Sequence, residues 1–232
     1  IPLRLVGSEM CIRDSYITST YILDCLPKST IVVNNPTSVR NAAEKILPFK
    51  FKEFMPATLI SQSVEEIKSF FKIHKDIITK PLYGNGGEGI NRSKDEKLTG
   101  FEIDGEYLDM PIMAQKYIPE ISEGDRRIIF FDGDYVGSVA RIPSEGSIKA
   151  NFHAGGSAKK TGLVFRDKQI IDKLGKDLKK LDLFFVGIDI IGDYLTEINV
   201  TSPTGIKQIN KLNNVKLEQV FWDKLEAKYK LV

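Results

Sequence analysis

The sequence predicts an α+β fold built mainly from antiparallel sheets, and three observations carry this prediction. Of the 232 residues, 42% are hydrophobic and 28% are charged, which is enough apolar mass for a buried core. Short β-branched and aromatic runs alternate with segments of helical periodicity. Most neighbouring strand segments are separated only by short turns, so they pair as antiparallel hairpins. The length suits one large domain or two small ones.

The strands are predicted from short runs of β-branched, apolar and aromatic residues bounded by turn signals. The first run ends in Asn-Asn-Pro, and Asp132-Gly133 marks the tip of a hairpin. The predicted strands lie at 30–35, 56–61, 76–80 and 111–118, and the predicted hairpins at 126–143 and 184–200.

The helices are predicted from apolar residues that recur on one face. Thr37 or Ser38 is the expected N-cap of the first helix, and Ser63 with Glu66 forms the expected capping box of the second. The predicted helices span 36–47, 63–75, 166–181 and 215–232. Residues 1–15 show neither helical nor strand periodicity and lack the small-residue cleavage site of a signal peptide, so we expect a non-native leader there.

Composition excludes several classes of partner. A net charge of +2 is too balanced for the basic surface of a nucleic-acid-binding protein. No apolar run reaches the roughly 18 residues that a membrane span needs, so we expect no membrane partner. Cys11 and Cys25 form no disulfide framework and no C-x-x-C pair, which favours reduced thiols and a cytoplasmic location.

A glycine-rich loop follows a strand that ends in Lys80, in the sequence KPLYGNGGEG. Its letters match G-x-G-x-x-G, but the polar, non-periodic continuation offers no helix to hold a dinucleotide pyrophosphate. Glycines without Cβ atoms let backbone N–H groups approach phosphate oxygens closely. A phosphate-covering loop beside a lysine is therefore one interpretation, a mobile turn is the second, and a dinucleotide-dependent oxidoreductase is the third.

The last predicted hairpin, GIDIIGDYLTEINVTSP, contains a candidate metal site. Placing its apolar residues on one face requires Ile188 opposite Ile198, with either a three-residue connection or a bulge. Asp189 then lies opposite Glu197, with Asn199 one step along the same face. Opposed like charges destabilise a sheet unless a cation lies between them, and hard oxygen donors suit Mg²⁺ or Mn²⁺. A solvated polar face without metal is the alternative.

Basic groups accompany these acids. Arg126 and Arg127 must face opposite sides of their strand, so one of them, together with Arg141, can clamp a phosphate or carboxylate. The loop 150–160 is glycine-rich and basic, and its His153 is either a substrate contact or a surface residue. Phosphate-binding loops, a divalent metal, lysine and arginine together indicate phosphoryl transfer.

Several motifs occur here in the order of a known family. They are TIVVNNPTSVRNAAEK, IITKPLYGNGGEGI, MAQKYIPEISEGDRRIIFFDGDYVG and FVGIDIIGDYLTEINVTSPTGI. From about Tyr16 to its end the chain closely resembles the prokaryotic glutathione synthetases of the ATP-grasp superfamily. The resemblance implies an ATP-grasp fold of two lobes with mainly antiparallel sheets, preceded by the remnant of an N-terminal α/β domain. The implied division is a leader at 1–15, the remnant at 16–40, a lid lobe at 41–118, and a C-terminal lobe with the metal site at 119–232.

The resemblance also implies residue roles. ATP would be bound by Lys45, Lys80, Gly84, Gly86, Gly87, Gln115, Lys116, Tyr117, Ile118 and Asp125. The metal would be held by Asp189, Glu197 and Asn199, catalysis would involve Lys80, Arg127 and Arg141, and substrate would meet Asn151, Gly155, Gly156, Ser202 and Thr204. The loop 142–157 would close over an acyl phosphate and exclude water.

The implied reaction joins γ-glutamylcysteine to glycine with ATP and Mg²⁺ or Mn²⁺ as cofactors, and only small molecules as partners. Two alternatives stay open: another ATP-grasp carboxylate–amine ligase, or a Mg-nucleotide-binding fragment without turnover. The resemblance leaves a homo-oligomer open. The chain departs from the family by lacking a region before Tyr16, and by having Tyr83 and Lys149 where an acidic residue and an arginine are common. We therefore expect an N-terminally truncated chain.

Overall fold

A computed structural model of the protein describes residues 6–83, 89–95, 107–147, 149–152 and 155–230. The helices are α1 (Val6–Asp24), α2 (Pro36–Arg40), α3 (Val64–His74), α4 (Phe165–Lys180), α5 (Ile206–Asn213) and α6 (Leu217–Tyr229), with 3₁₀ helices at Leu47–Phe54 and Pro119–Glu123. The strands are β1 (Thr58–Ser63), β2 (Ile77–Pro81), β3 (Asn91–Ser93), β4 (Tyr107–Lys116), β5 (Asp125–Phe131), β6 (Asp134–Ile142), β7 (Ser157–Lys159), β8 (Phe185–Ile191) and β9 (Tyr194–Asn199).

These strands form two antiparallel sheets. The smaller sheet has the order β1-β4-β2-β3, and the larger has the order β7-β6-β5-β8-β9. Every strand pair that the structure describes is antiparallel, which confirms the predicted α+β class.

Helix α3 covers one face of the smaller sheet. Its buried Val64, Ile67 and Phe71 form the apolar stripe that the sequence predicted. The N-cap is also as predicted, because the Ser63 hydroxyl accepts from the Glu66 N–H at 3.3 Å. The Glu66 carboxylate instead accepts from the Ser61 hydroxyl at 2.5 Å, so only half of the expected capping box forms.

The larger sheet is covered on both faces. Strand β5 alternates across it: Ile128 and Phe130 belong to a core with α4 and the first 3₁₀ helix, whereas Ile129 and Phe131 belong to a core with α5 and α6. A strand buried on both sides has no polar face, which explains the continuous apolar run in its sequence.

The hairpin between β5 and β6 turns at Asp132-Gly133, as predicted. Both residues have positive φ, at 51° and 80°, which a two-residue hairpin turn of type I′ requires. A Cβ on Gly133 would lie 2.4 Å from the carbonyl oxygen of Gly175, so the turn also lets α4 pack closely on the sheet.

The β8–β9 hairpin has the register that burial predicted. Ile188 lies opposite Ile198, and Asp189 lies opposite Glu197. Beyond Asp189 the register shifts by one, so that Ile190 faces Leu195. Of the two predicted solutions, the structure therefore adopts the bulge.

Two predicted elements near the start of the chain are wrong. Residues 30–35 form no strand, because the Asn34 side chain makes the contacts instead: its amide donates to the carbonyls of Phe185 and Val200 and accepts from the Phe185 N–H. The predicted helix 36–47 ends at Arg40, and its N-cap is Asn35 rather than Thr37 or Ser38, with the Ser38 N–H donating to the Asn35 carbonyl oxygen at 3.1 Å.

Helices α1 and α5 were not predicted from the sequence. Helix α1 begins inside the segment that lacked periodicity, and α5 lies between the last hairpin and α6. After α2 the chain packs on the larger sheet, where Ala42, Leu47, Phe51 and Phe54 join its core. The fourfold division of the chain given above stays a prediction. Among the described residues, no helix is both long and apolar enough to cross a membrane.

Candidate active site

A cavity of about 350 Å³ separates the two sheets. The ends of β2 and β4 form one wall, and β5, β6, β8 and β9 form the other. The predicted site residues that line it are Lys45, Lys80, Gln115, Lys116, Tyr117, Ile118, Asp125, Arg127, Arg141, Asn151, Asp189, Glu197, Asn199, Ser202 and Thr204.

Not every predicted site residue lies in this wall. Gly155 and Gly156 are absent from it. A Cβ on Gly156 would come within 2.0 Å of the Ala150 carbonyl oxygen, so this glycine serves a close backbone crossing. Gly84, Gly86, Gly87 and His153 lie outside the described residues, and their predicted roles stay predictions.

Asp189 is the centre of a buried network of charges. Its carboxylate accepts from the Arg127 guanidinium at 2.5 and 2.9 Å, and Arg141 lies 2.9 Å from its second oxygen. Asn199 donates its side-chain amide to the same oxygen at 3.3 Å. Burial opposes ionisation of Asp189, yet the charges of Arg127 and Arg141 hold its pKa well below the usual range. The two guanidinium groups therefore favour the ionised carboxylate.

The two arginines extend this network in different directions. Arg141 makes a bidentate pair with Asp125, with both N–O distances at 2.6 Å. Arg127 donates to the Thr204 carbonyl at 3.2 Å and so holds the loop that was predicted to meet substrate. That loop can pack closely against β8 because residue 187 is a glycine. A Cβ at this position would lie 2.7 Å from Pro203.

A third acid, beside the two of the predicted metal set, was not predicted from the sequence. Glu44 lines the cavity, and burial, then the charge of Glu197 and a hydrogen bond to it, raise the pKa of Glu44 to about 7. The backbone brings it there, since the Ile198 N–H donates to the Glu44 carbonyl at 3.1 Å. Its position directly before Lys45, a predicted phosphate contact, is the one signal that could have found it.

Lys80 lies on the other side of Glu197. Its Nζ is 3.8 Å from a Glu197 oxygen, and the residue is 5% exposed. Burial lowers the pKa of Lys80, while the nearby Glu197 opposes that shift. The ammonium therefore gains from any additional anion that enters the cavity.

The acidic set has the chemistry of a divalent-cation site. Asp189, Glu197 and Asn199 present two carboxylates and an amide on one wall, which are hard oxygen donors of the kind that Mg²⁺ prefers. In the same wall, burial and then the charge of Glu197 raise the pKa of Glu44. Among the described residues no group of three or more His, Cys, Asp or Glu side chains is arranged to hold a metal ion by itself.

The cavity lining also has an apolar part. It is formed by Ile78, Ile90, Ile118 and Ile121. Gln115 on β4 also lines the cavity, is 4% exposed and donates to the Thr58 hydroxyl at 2.9 Å. The cavity thus combines these isoleucines, which we call the apolar slot, with strongly charged groups.

Comparisons with known proteins agree with this geometry. Residues 44–214 match the family described as prokaryotic glutathione synthetase, ATP-grasp domain. The glutathione synthetase of Agrobacterium fabrum is 44% identical over 217 residues, covering 92% of this chain and 68% of that protein. That of Prochlorococcus marinus is 37% identical, covering 92% of this chain and 71% of that protein.

Solved structures share the fold at lower identity. The ATP-grasp ligase PsnB complexed with a minimal precursor has a TM-score of 0.64 at 16% identity, covering 97% of this chain and 73% of that one. The D-alanine–D-alanine ligase of Bacillus anthracis complexed with ATP has a TM-score of 0.55 at 13% identity, covering 86% and 71%. At these identities the likeness shows the ATP-grasp fold alone. With the family match and the curated relatives, it establishes that this chain belongs to the prokaryotic glutathione synthetases of the ATP-grasp superfamily.

Proposed function

We propose that the protein joins γ-glutamylcysteine to glycine, using ATP, to form glutathione, ADP and phosphate. The observation that carries this proposal is the cavity between the two sheets, where carboxylates, lysines and arginines meet an apolar slot. The 44% identity to a glutathione synthetase favours γ-glutamylcysteine and glycine as the substrates.

In this proposal ATP spans the cavity from the apolar slot to the charged groups. The adenine enters the isoleucine-lined slot beside Gln115, and Asp125 meets the ribose. Lys45 and Lys80 contact the phosphates, where the 5% exposed Lys80 gains a partner that offsets its burial.

Asp189, Glu197 and Asn199 would hold Mg²⁺ or Mn²⁺. A bound divalent cation neutralises charge on the phosphates and polarises them toward attack. The carboxylate of Asp189 stays ionised for this role because two guanidinium groups adjoin it.

The proposed reaction has two chemical steps. The C-terminal carboxylate of γ-glutamylcysteine attacks the γ-phosphorus, the bond to the ADP oxygen breaks, and an acyl phosphate forms. The glycine amine then attacks the acyl carbon, phosphate leaves, and the ammonium proton passes to solvent. Arg127 and Arg141 stabilise the negative charge that develops in both steps.

Excluding water matters because hydrolysis of the acyl phosphate would compete with the amine. Asn151 and Phe152 line the cavity from the connection after β6. We place the reaction in the cytoplasm, where ATP and reduced thiols are available.

The test is release of ADP by the protein in the presence of ATP, Mg²⁺, γ-glutamylcysteine and glycine, with glutathione measured in the same samples. Omitting γ-glutamylcysteine should stop ADP release, and omitting glycine should stop glutathione formation. ADP release independent of γ-glutamylcysteine would contradict the proposal. A rise in melting temperature with Mg-ADP but no turnover would favour a nucleotide-binding chain.

A further inference from the structure

We propose that Arg92 is a positioning residue for the nucleotide base, acting through Tyr117. This inference rests on the proposed function, since it assigns a support for the base end of the same cavity. Arg92 is absent from the cavity wall, whereas Tyr117 lines it.

Arg92, Asp76 and Tyr117 form a closed triangle. The Arg92 guanidinium makes a bidentate pair with the Asp76 carboxylate at 2.8 and 2.6 Å. Its central carbon lies 3.4 Å from the centroid of the Tyr117 ring, which is direct stacking contact. The Tyr117 N–H in turn donates to the Asp76 carbonyl at 3.0 Å. Tyr117 is thus held twice from residue 76, once through its backbone and once through the arginine.

The triangle is continuous with the row of residues that faces the base slot. Arg92 on β3 lies opposite Ile78 on β2, and Ile78 lies opposite Gln115 on β4. Residues directly opposite each other in a sheet share a face. Arg92 is therefore the outer member of the row that contains Ile78 and Gln115, both of which line the cavity.

An arginine suits this place for a physical reason. Its planar guanidinium can offer a fork to a carboxylate and a flat face to an aromatic ring at the same time, whereas a lysine ammonium can do neither as well. Only 26% of the Arg92 side chain is exposed, so the stack is partly protected from water.

The experiment measures binding of two probes to the protein by titration calorimetry. Mg-ADP has both a base and phosphates, and Mg-tripolyphosphate has phosphates only. We expect Arg92→Lys to weaken Mg-ADP binding by about two- to fivefold, the range of a partly exposed cation–π contact, and to leave Mg-tripolyphosphate binding unchanged.

A further variant tests the route through Tyr117. Tyr117→Leu removes the ring and should weaken Mg-ADP binding as Arg92→Lys does. Combining Arg92→Lys with Tyr117→Leu should add little to either change, because the two residues act through one contact.

The chain offers a matched control outside the cavity wall. Arg40 pairs with Asp24 at 2.5 Å and lies 4.2 Å from the Tyr21 ring centroid, so it has the same three residue types. Arg40→Lys should leave the affinity for both probes unchanged.

The outcomes separate the inference from the function it rests on. If the unmodified protein binds no Mg-ADP, the proposed function fails and the inference fails with it. If it binds Mg-ADP and Arg92→Lys binds equally well, the inference alone is overturned. Equal weakening of both probes by Arg92→Lys would also overturn it, since that is the result of a general loosening of the sheet.

Discussion

Two neighbouring residues of β5, Arg126 and Arg127, make the same kind of ion pair on opposite sides of the larger sheet. Arg126 forks onto Asp167, with the shortest N–O distance between them at 2.8 Å. Arg127 forks onto Asp189 at 2.5 and 2.9 Å. Both aspartates are buried, at 0% and 4% exposure. Chemistry and burial therefore do not tell the two pairs apart.

Their surroundings do. Asp167 also accepts from the Val164 N–H at the start of α4, and Arg126 donates to the Gly192 carbonyl, so that pair joins a helix to a hairpin. Asp189 and its partners Arg127 and Arg141 instead line the cavity. A buried ion pair that is surrounded by protein connects parts of the fold. A buried ion pair that lines a cavity can exchange partners with a ligand.

The largest difference should come from removing the acids on the cavity side. Asp189→Asn combined with Glu197→Gln should lower metal-dependent ATP turnover by roughly a thousandfold or more, because the phosphates lose the cation that neutralises them. ADP release against Mg²⁺ concentration measures this. Retained turnover would refute the metal assignment.

Removing the acid on the other side should cost stability instead. Asp167→Asn should lower the free energy of unfolding by about 3 kcal/mol, since Arg126 keeps its charge in a buried place without a counter-ion. Urea denaturation measures the loss, and Mg-ADP affinity of the folded variant should be unchanged.

The exposed Asp172 on the same helix is the matched control for that variant. Asp172→Asn should change stability by no more than about 0.5 kcal/mol. An equal loss of unfolding free energy in both variants would show that the Arg126–Asp167 pair does not stabilise the fold.

A smaller contrast should follow from changing only the arginines. Arg127→Lys keeps the charge but loses the fork, and we expect kcat to fall about tenfold. Arg126→Lys should leave kcat unchanged and lower only the melting temperature. Equal kcat in the two variants would remove the functional distinction between the two faces.

The smallest effect concerns Glu44, the unpredicted acid on the cavity side. The pKa of Glu44 rises from 4.5 to about 7 on folding, so the folded state holds the proton more tightly than the unfolded state. The free energy of unfolding should therefore fall as pH rises from about 4.5 to 7.

Because 39% of the Glu44 side chain is exposed, solvent screening limits this fall to about 1 kcal/mol. Glu44→Gln should flatten that part of the profile measured by thermal unfolding at several pH values. An unchanged slope in the variant would mean that another group causes it.

The predicted site shows which contacts local sequence patterns can predict and which they cannot. The alternation of apolar residues in the last hairpin was sufficient to place Asp189 opposite Glu197 and to require a bulge, because a one-residue slip would expose the apolar face. No such pattern linked Glu44 to Glu197, since those residues are far apart in the chain and meet only when the segment after α2 docks on β9. The roles assigned to both remain predictions.

The sequence by itself determined the α+β class, the α3 cap, the Asp132-Gly133 turn and the hairpin register, because each depends on residues within a few positions of one another. Only the tertiary structure decided which guanidinium meets which carboxylate, why residues 30–35 form no strand, and that Arg92 stacks on Tyr117. Those contacts join segments that propensity treats separately, and burial across the whole fold selects among them.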